Sequence, residues 1–248
     1  MTDQHADAQE AFGGTREVDP RYVLDEARLT EWLAAHVPGF SGPLTLRQFK
    51  GGQSNPTYEL TTPTAAYVLR RKPPGQLLAS AHAVDREFRV ISALGAQGFP
   101  VARAYALCDD ESVIGSMFYV MEKVEGRVFW DLKLPGLEPA ERRAIYEAQT
   151  DALARLHAYD PEAIGLGDYG RPGNYFARQV GRWTKQYHAS ETHKIEAMDR
   201  LIAFLPDSLP AEGPTRIVHG DFRLDNMIIA PDRAEVKAVL DWELSTLG

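Results

Sequence analysis

The sequence changes character at Glu125-Gly126, and this switch restricts the fold more than any other feature. Before it lie short runs of strand formers: Leu44 to Phe49, Thr57 to Thr61, Ala66 to Arg71, Tyr105 to Cys108 and Met117 to Val124. Gly51-Gly52 separates the first two runs and Thr62-Pro63-Thr64 the next two, so the first three predict antiparallel strands joined by turns. Two helices interrupt this half. Asp25 caps a predicted helix running to Val37, which Pro38-Gly39 ends, with Leu29, Trp32, Leu33 and Val37 on one face. A second is predicted from Ala81 to Ala96, with Val84, Phe88, Ile91 and Leu94 on one face and Gly98 closing it.

After the switch, helical spacing takes over. Glu138 to His157 places Ile145, Ala148, Ala152, Leu153 and Leu156 on a common stripe, with Pro139 early in the helix. Tyr175 to Tyr187 and Ile195 to Leu205 predict further helices. Gly165 to Asn174 holds four glycines and one proline and predicts a loop. A last strand pair is predicted at Met227 to Ile229 and Val236 to Leu240, turning at Pro231-Asp232. The expectation is an α+β chain of two lobes, with a mobile tail at 1–19. An antiparallel-sheet lobe spans 20–123 and a mainly helical lobe spans 124–248.

Composition narrows the function classes. The net charge of −8 argues against a nucleic-acid surface. No run of about 18 apolar residues predicts a membrane helix, and the polar, acidic first residues lack the apolar core of a signal peptide. Cys108 is the single cysteine, so no internal disulfide can form, and a buried structural thiol is expected. A cytoplasmic location with no membrane or nucleic-acid partner follows as the expectation.

The chemistry concentrates in Val218-His219-Gly220-Asp221-Phe222-Arg223-Leu224-Asp225-Asn226, followed by Val239-Leu240-Asp241-Trp242-Glu243. An Asn stands five positions after Asp221, and a second Asp twenty after it. This spacing suits phosphoryl transfer, which needs positioning and charge neutralisation rather than covalent work by the protein. Asp221 is the candidate base that orients an attacking hydroxyl. Asn226 and Asp241 offer oxygens to a hard cation such as Mg2+. Strand-like segments flank the loop, which places it at a cleft mouth.

Three further elements extend a kinase reading to the nucleotide. Lys50-Gly51-Gly52-Gln53-Ser54-Asn55 lies between two predicted strands, as a phosphate-covering turn should. Gly51 and Gly52 let backbone N–H groups approach phosphate oxygens, and Ser54 or Asn55 can add donors. Arg70 on the third strand is expected to pair with Glu87 on the following helix and to contact the α/β-phosphates, with Lys72, of the same parity, as the alternative cation. Glu122 and Val124, just before the lobe connection, mark the segment whose backbone would recognise adenine. On the acceptor side, Arg223 projects from the catalytic loop, and Arg178 and Arg182 lie four apart on one helix face. These cations favour an anionic acceptor.

Taken together, these residues resemble the aminoglycoside phosphotransferase and choline-kinase superfamily over about Leu44 to Gly248. The segments YVLRRKPPG, DREFRV, FYVMEKVEGR, GLGDYGRPGNYFARQVGRW and HGDFRLDNMI resemble more narrowly the kinase-like domain associated with acyl-CoA dehydrogenases and its stand-alone bacterial relatives. The resemblance implies a bilobal protein-kinase-like fold and an ATP-dependent, magnesium-requiring transfer to a hydroxyl, in that subgroup of a hydroxyacyl-CoA. Arg70 departs from the superfamily, which mostly places Lys there, and the exchange is not neutral. Asp241 is followed by Trp-Glu rather than Phe-Gly, so no flipping switch of the protein-kinase type is expected. Other readings are a kinase of an amino sugar or a choline-like alcohol, a non-catalytic kinase-like nucleotide-binding module, and a metal-dependent hydrolase; the last lacks a further His or carboxylate cluster. The sequence ends seven residues after Asp241. Superfamily members usually continue for several helices, so the resemblance implies an incomplete helical lobe. Apolar faces of Glu138 to His157 and of the final strands would then be exposed, favouring self-association.

Overall fold

Five predicted strand runs become five strands of one six-stranded antiparallel sheet in the computed structural model, which describes residues 13–50, 55–73 and 83–248. In chain order these are β1 (Thr15–Arg16), β2 (Thr45–Phe49), β3 (Thr57–Thr61), β4 (Ala66–Arg71), β5 (Ala104–Cys108) and β6 (Phe118–Glu122). Their order across the sheet is β1-β2-β3-β4-β6-β5. The register of β3 on β4 pairs Tyr58 with Leu69 and Leu60 with Tyr67, and all four are buried. β1 was not expected. Residues 15 and 16 belong to the segment read as a mobile tail, yet they pair with Phe49 and Gln48 at the edge of β2. Two residues carry no periodicity, so backbone pairing to a distant strand left no local trace.

Two helices serve this sheet. In α1 (Glu26–His36) the Asp25 carboxylate accepts from the Arg28 N–H at 3.1 Å, the expected cap. Leu29, Leu33 and Val37 are buried in one core with Tyr58, Leu60, Leu69, Phe118 and Val120. Each such leucine contributes about 1.5–3 kcal/mol by leaving water. The second helix, α2 (Val84–Ala96), buries Val84, Val90, Ile91 and Leu94, and also one charged side chain, Glu87. Gly98 follows at φ +72°. Residues 81 and 82 of the predicted helix, and the turn residues Gly51, Gly52, Gln53 and Ser54, lie outside the described residues. Cys108 is buried, as expected of a structural thiol, and burial pushes its pKa up.

The remaining elements are α3 (Pro139–Ala158), α4 (Tyr175–Ser190), α5 (Glu196–Phe204), β7 (Ile217–Val218), β8 (Met227–Ile229), β9 (Val236–Val239) and β10 (Thr246–Leu247). By internal packing the described chain forms two compact units. One runs to Arg155 and takes in Asp221–Leu244; the other holds Leu156–Gly220 and Ser245–Gly248.

In the first unit the connection after β6 is stitched to β8. Arg127 N–H donates to Ile229 C=O at 2.7 Å, and Ile229 N–H donates back to Arg127 C=O at 2.9 Å. Gly126 makes this approach possible, since a Cβ there would lie 2.4 Å from both Ile229 O and Ile228 Cγ2. β8 and β9 form a hairpin, as predicted. In the second unit β10 pairs with β7, and the Tyr169 and Ser245 hydroxyls share a 2.6 Å hydrogen bond.

The expected apolar exposure falls elsewhere than anticipated. Ile145, Ala152 and Leu156 of α3 are buried, as are Met227, Ile229, Val236, Ala238 and Val239 of the final hairpin, because each has a packing partner in the described chain. α4 and α5 instead bury no residue, and Phe176, Trp183, Leu201 and Phe204 stand exposed on them. Among the described residues no helix is long and apolar enough to cross a membrane.

Candidate active site

The Asp221 loop is short because it is bonded to itself. Arg223 N–H donates to Asp221 C=O and Asn226 N–H to Arg223 C=O, each at 3.0 Å, closing one tight helical turn over Leu224–Asn226. Leu224 plugs this turn into the core at 1% exposure. Gln149 on α3 donates to Phe222 C=O at 3.3 Å. The Asn226 amide nitrogen donates to the Asp221 carboxylate at 2.9 Å and to its carbonyl at 3.0 Å. Asn226 thereby fixes the Asp221 carboxylate, and its own Oδ1 is the atom left to meet a cation.

The β8–β9 hairpin carries the second carboxylate to this loop. Met227 pairs with Val239, and Leu240 N–H donates to Asn226 C=O at 2.8 Å, so Asp241 leaves the hairpin beside Asn226. Asp241 sits at φ +61°, a conformation that costs a non-glycine residue roughly 1–3 kcal/mol. Trp242 holds it there. Its indole N–H donates to Val239 C=O at 3.0 Å, and its ring packs edge-on against Phe99.

The expected strand cation and helix carboxylate meet. Arg70 Nε lies 2.9 Å from Glu87 Oε2, an ion contact off the angle of a directed hydrogen bond. Arg70 Nη2 donates to Asp241 Oδ1 at 2.8 Å and reaches Glu243 Oε2 at 3.4 Å. One guanidinium therefore faces three carboxylates. Burial works against its charge, but Glu87 first, then Tyr119, Asp241 and Glu243, outweigh burial and raise its pKa. Glu87 is pushed up to about 7, because burial outweighs the opposing pull of Arg70 and of the Tyr119 hydroxyl. Tyr119 is itself raised well above its ordinary value, by burial and then by Glu87.

Other predicted residues are placed as follows. Lys72 lies just past the end of β4, where its backbone N–H donates to Met117 C=O. Glu122 ends β6 with its side chain exposed, and Val124 follows two residues past the strand, half-buried. Gly51, Gly52 and Ser54 lie outside the described residues. Asn55 is not available to phosphate: it is fully buried, and its amide donates to Glu87 Oε1 at 3.0 Å and to Glu243 Oε2 at 3.4 Å. Arg223 does not project freely either. Its guanidinium folds back onto Asp225, with Nε 3.0 Å from Oδ1, and lies 3.6 Å from Asp221 Oδ1, because those carboxylates are the nearest counter-charges.

In the second unit, Arg178, Gly181, Arg182, Lys185 and Gln186 share one open face of α4. Arg178 donates to Arg171 C=O at 2.6 Å, and Arg182 lies over the Trp183 ring at 5.7 Å. Trp183 is 57% exposed, so the core-packing role otherwise expected of a tryptophan does not hold within the described chain. α4 contains no acidic residue.

Glu243 and Tyr119 belong to the cluster but were not singled out in the sequence. Glu243 lies in the short helical turn Trp242–Leu244, where no local pattern aims its side chain at Arg70. Nothing local marks Tyr119. No group of three or more His, Cys, Asp or Glu residues among those described can hold a metal unaided. The oxygens of Asn226 and Asp241 nonetheless fit a hard cation that is also bound by phosphates.

Residues 45–248 match the phosphotransferase enzyme family (APH), and the chain belongs to that family. It is 50% identical over 235 residues to acyl-CoA dehydrogenase family member 10 of Mus musculus, covering 94% of this chain and 22% of the relative. The chain thus spans about a fifth of that relative's length. The solved structure of a presumed aminoglycoside phosphotransferase from Ralstonia eutropha JMP134 is 55% identical with a TM-score of 0.83, covering 91% of this chain and 67% of that one. A thermostable mutant of aminoglycoside phosphotransferase APH(4)-Ia, solved as a ternary complex with ADP and hygromycin B, shares the fold at 15% identity and a TM-score of 0.61, covering 90% of this chain and 72% of that one. The fold is the kinase-like α+β fold of the aminoglycoside phosphotransferases.

Proposed function

We propose that this chain is an ATP-dependent kinase that phosphorylates a hydroxyl of a small metabolite, and that the acceptor is a hydroxyacyl-CoA. The observation that carries the reading is the hydrogen-bonded Asp221–Asn226 pair beside an Asp241 already engaged by a buried cation. Asp221 orients the acceptor hydroxyl and takes its proton as the new O–P bond forms and the bond to ADP breaks. Mg2+ bound with ATP would neutralise phosphate charge, held by the Asn226 Oδ1 and the Asp241 carboxylate. Arg70, braced by Glu87, faces the α/β-phosphates. Gly51, Gly52 and Ser54 cover the phosphates, and the backbone at Glu122 and Val124 meets adenine. In this reading 20–123 serves the nucleotide, and 124–248 supplies the catalytic loop and acceptor contacts.

Two observations favour an acyl-CoA over a cationic amino sugar or choline. The open face of α4 carries Arg178, Arg182 and Lys185 on a helix without an acid, which suits the phosphates of a CoA ester. Moreover, the mouse relative is by name a member of an acyl-CoA dehydrogenase family. The test is ATP consumption against a panel of hydroxyacyl-CoAs, amino sugars and choline. Turnover confined to hydroxyacyl-CoAs is the expected result; turnover with an amino sugar or choline alone rejects the acceptor, and none with any hydroxyl rejects the kinase.

A further inference from the structure

Glu87 is braced by neutral donors on both of its oxygens. Asn55 Nδ2 donates to Oε1 and the Tyr119 hydroxyl to Oε2, each at 3.0 Å. All three side chains are at least 97% buried. They come from separate places: Asn55 from the entry to β3, Tyr119 from β6 and Glu87 from α2. The same Asn55 nitrogen reaches Glu243, which also takes Arg70 Nη2. Asn55 thus joins two of the three carboxylates that face the Arg70 guanidinium.

The orientation of the Asn55 amide is set by these charges. Turned over, its oxygen would face Glu87 and Glu243, two acceptors, at hydrogen-bond distance. In the observed orientation its Oδ1 is buried with no partner among the described residues. A buried orphan acceptor destabilises the fold. What the side chain contributes here is its donor, shared between Glu87 and Glu243.

We propose that Asn55 and Tyr119 are positioning residues for phosphoryl transfer. They lock the plane of the Glu87 carboxylate, and Asn55 ties it to Glu243, so that Arg70 presents its guanidinium in one fixed orientation. Without the two donors the Glu87 carboxylate can rotate, and Arg70 loses the brace on its Nε side. The inference rests on the kinase reading for its effect on ATP, but not for its effect on Arg70.

The experiment uses Tyr119→Phe, which removes only the hydroxyl and keeps the packing, and Asn55→Ala. ATP affinity is measured with magnesium, well below the unfolding temperature, in wild type, each variant, Glu87→Gln and the two doubles. Each single variant is expected to weaken ATP binding about tenfold, the scale of a hydrogen bond to a charged group. In the Glu87→Gln background neither should weaken it further. Losses that simply add, or unchanged affinity with only a lower melting temperature, would overturn the proposal and leave both residues as packing.

A second readout does not involve ATP. The Arg70 guanidinium, assigned by its loss in Arg70→Lys, should give separate nitrogen resonances in wild type, because its rotation is hindered. The resonances should average in Tyr119→Phe and Asn55→Ala. Hindered rotation persisting in both variants rejects the clamp whatever ATP does. A wild type that binds no ATP, yet shows the resonances averaging in the variants, rejects the kinase reading and upholds the clamp.

Discussion

Replacing Glu87 with Gln should change the pH dependence of stability in a calculable way. Glu87 is 2% exposed, and burial lifts its pKa from 4.5 to about 7. Between these values the folded state holds a proton that the unfolded chain has released. Stability from this group is therefore fully present below about pH 4.5 and declines as pH rises through 7. A shift from 4.5 to about 7 corresponds to roughly 3 kcal/mol at about 1.4 kcal/mol per unit. Gln cannot titrate, so the variant loses this slope while keeping every other group. Urea unfolding of both proteins from pH 4 to 9 gives a difference curve. Relative to wild type, Glu87→Gln should gain about 3 kcal/mol between pH 4.5 and 7 and then level off. Nucleotide affinity should run the other way in wild type, strengthening through about pH 7 as Glu87 ionises and braces Arg70. A flat difference curve would show that Glu87 is not held neutral by burial, and would refute the electrostatic reasoning.

Three further outcomes are expected. Gly126→Ala would force a methyl to within 2.4 Å of a carbonyl pinned by the Arg127–Ile229 bridge; about 3 kcal/mol or more of stability should be lost in chemical unfolding, with an unchanged midpoint as the contrary result. Asp241→Ala should abolish the magnesium-dependent part of ATP binding in calorimetric titrations; equal strengthening by magnesium in both proteins would remove Asp241 as a ligand. Arg182→Glu should raise KM for a hydroxyacyl-CoA at least about tenfold with little change in ATP affinity, since one reversed contact to phosphate is worth more than about 1.4 kcal/mol; an unchanged KM would place the acceptor elsewhere.

What the sequence made legible follows a physical division. The strands, the Asp25 cap and the β8–β9 hairpin were readable because periodicity, caps and turns are local codes. The Arg70–Glu87 contact was readable through the kinase pattern of a strand cation held by a helix carboxylate, while strand parity alone left Lys72 as an alternative. The loop Asp221–Asn226 was readable because its hydrogen bonds close within five residues. Asn55 was misread for the opposite reason: its partner Glu243 stands 188 positions away, and a polar residue beside glycines looks locally like a phosphate donor. Tyr119 was hidden inside an apolar strand pattern, where its hydroxyl counts for nothing until Glu87 is placed beside it. β1 escaped because two residues paired to a distant edge have no pattern of their own. The openness of α4 and α5 likewise depends on what packs against them, which amphipathic spacing does not report.

The central claim is that Asp221 orients a hydroxyl for attack on ATP. Acceptor-dependent release of ADP, measured for wild type and Asp221→Asn at saturating magnesium and ATP, tests it most directly. The variant keeps the shape of the side chain and removes its charge. Turnover should fall at least about a hundredfold while the Kd for ATP changes little, because general-base loss affects the reaction step and not nucleotide binding. Near-normal turnover in Asp221→Asn would contradict the account at its core.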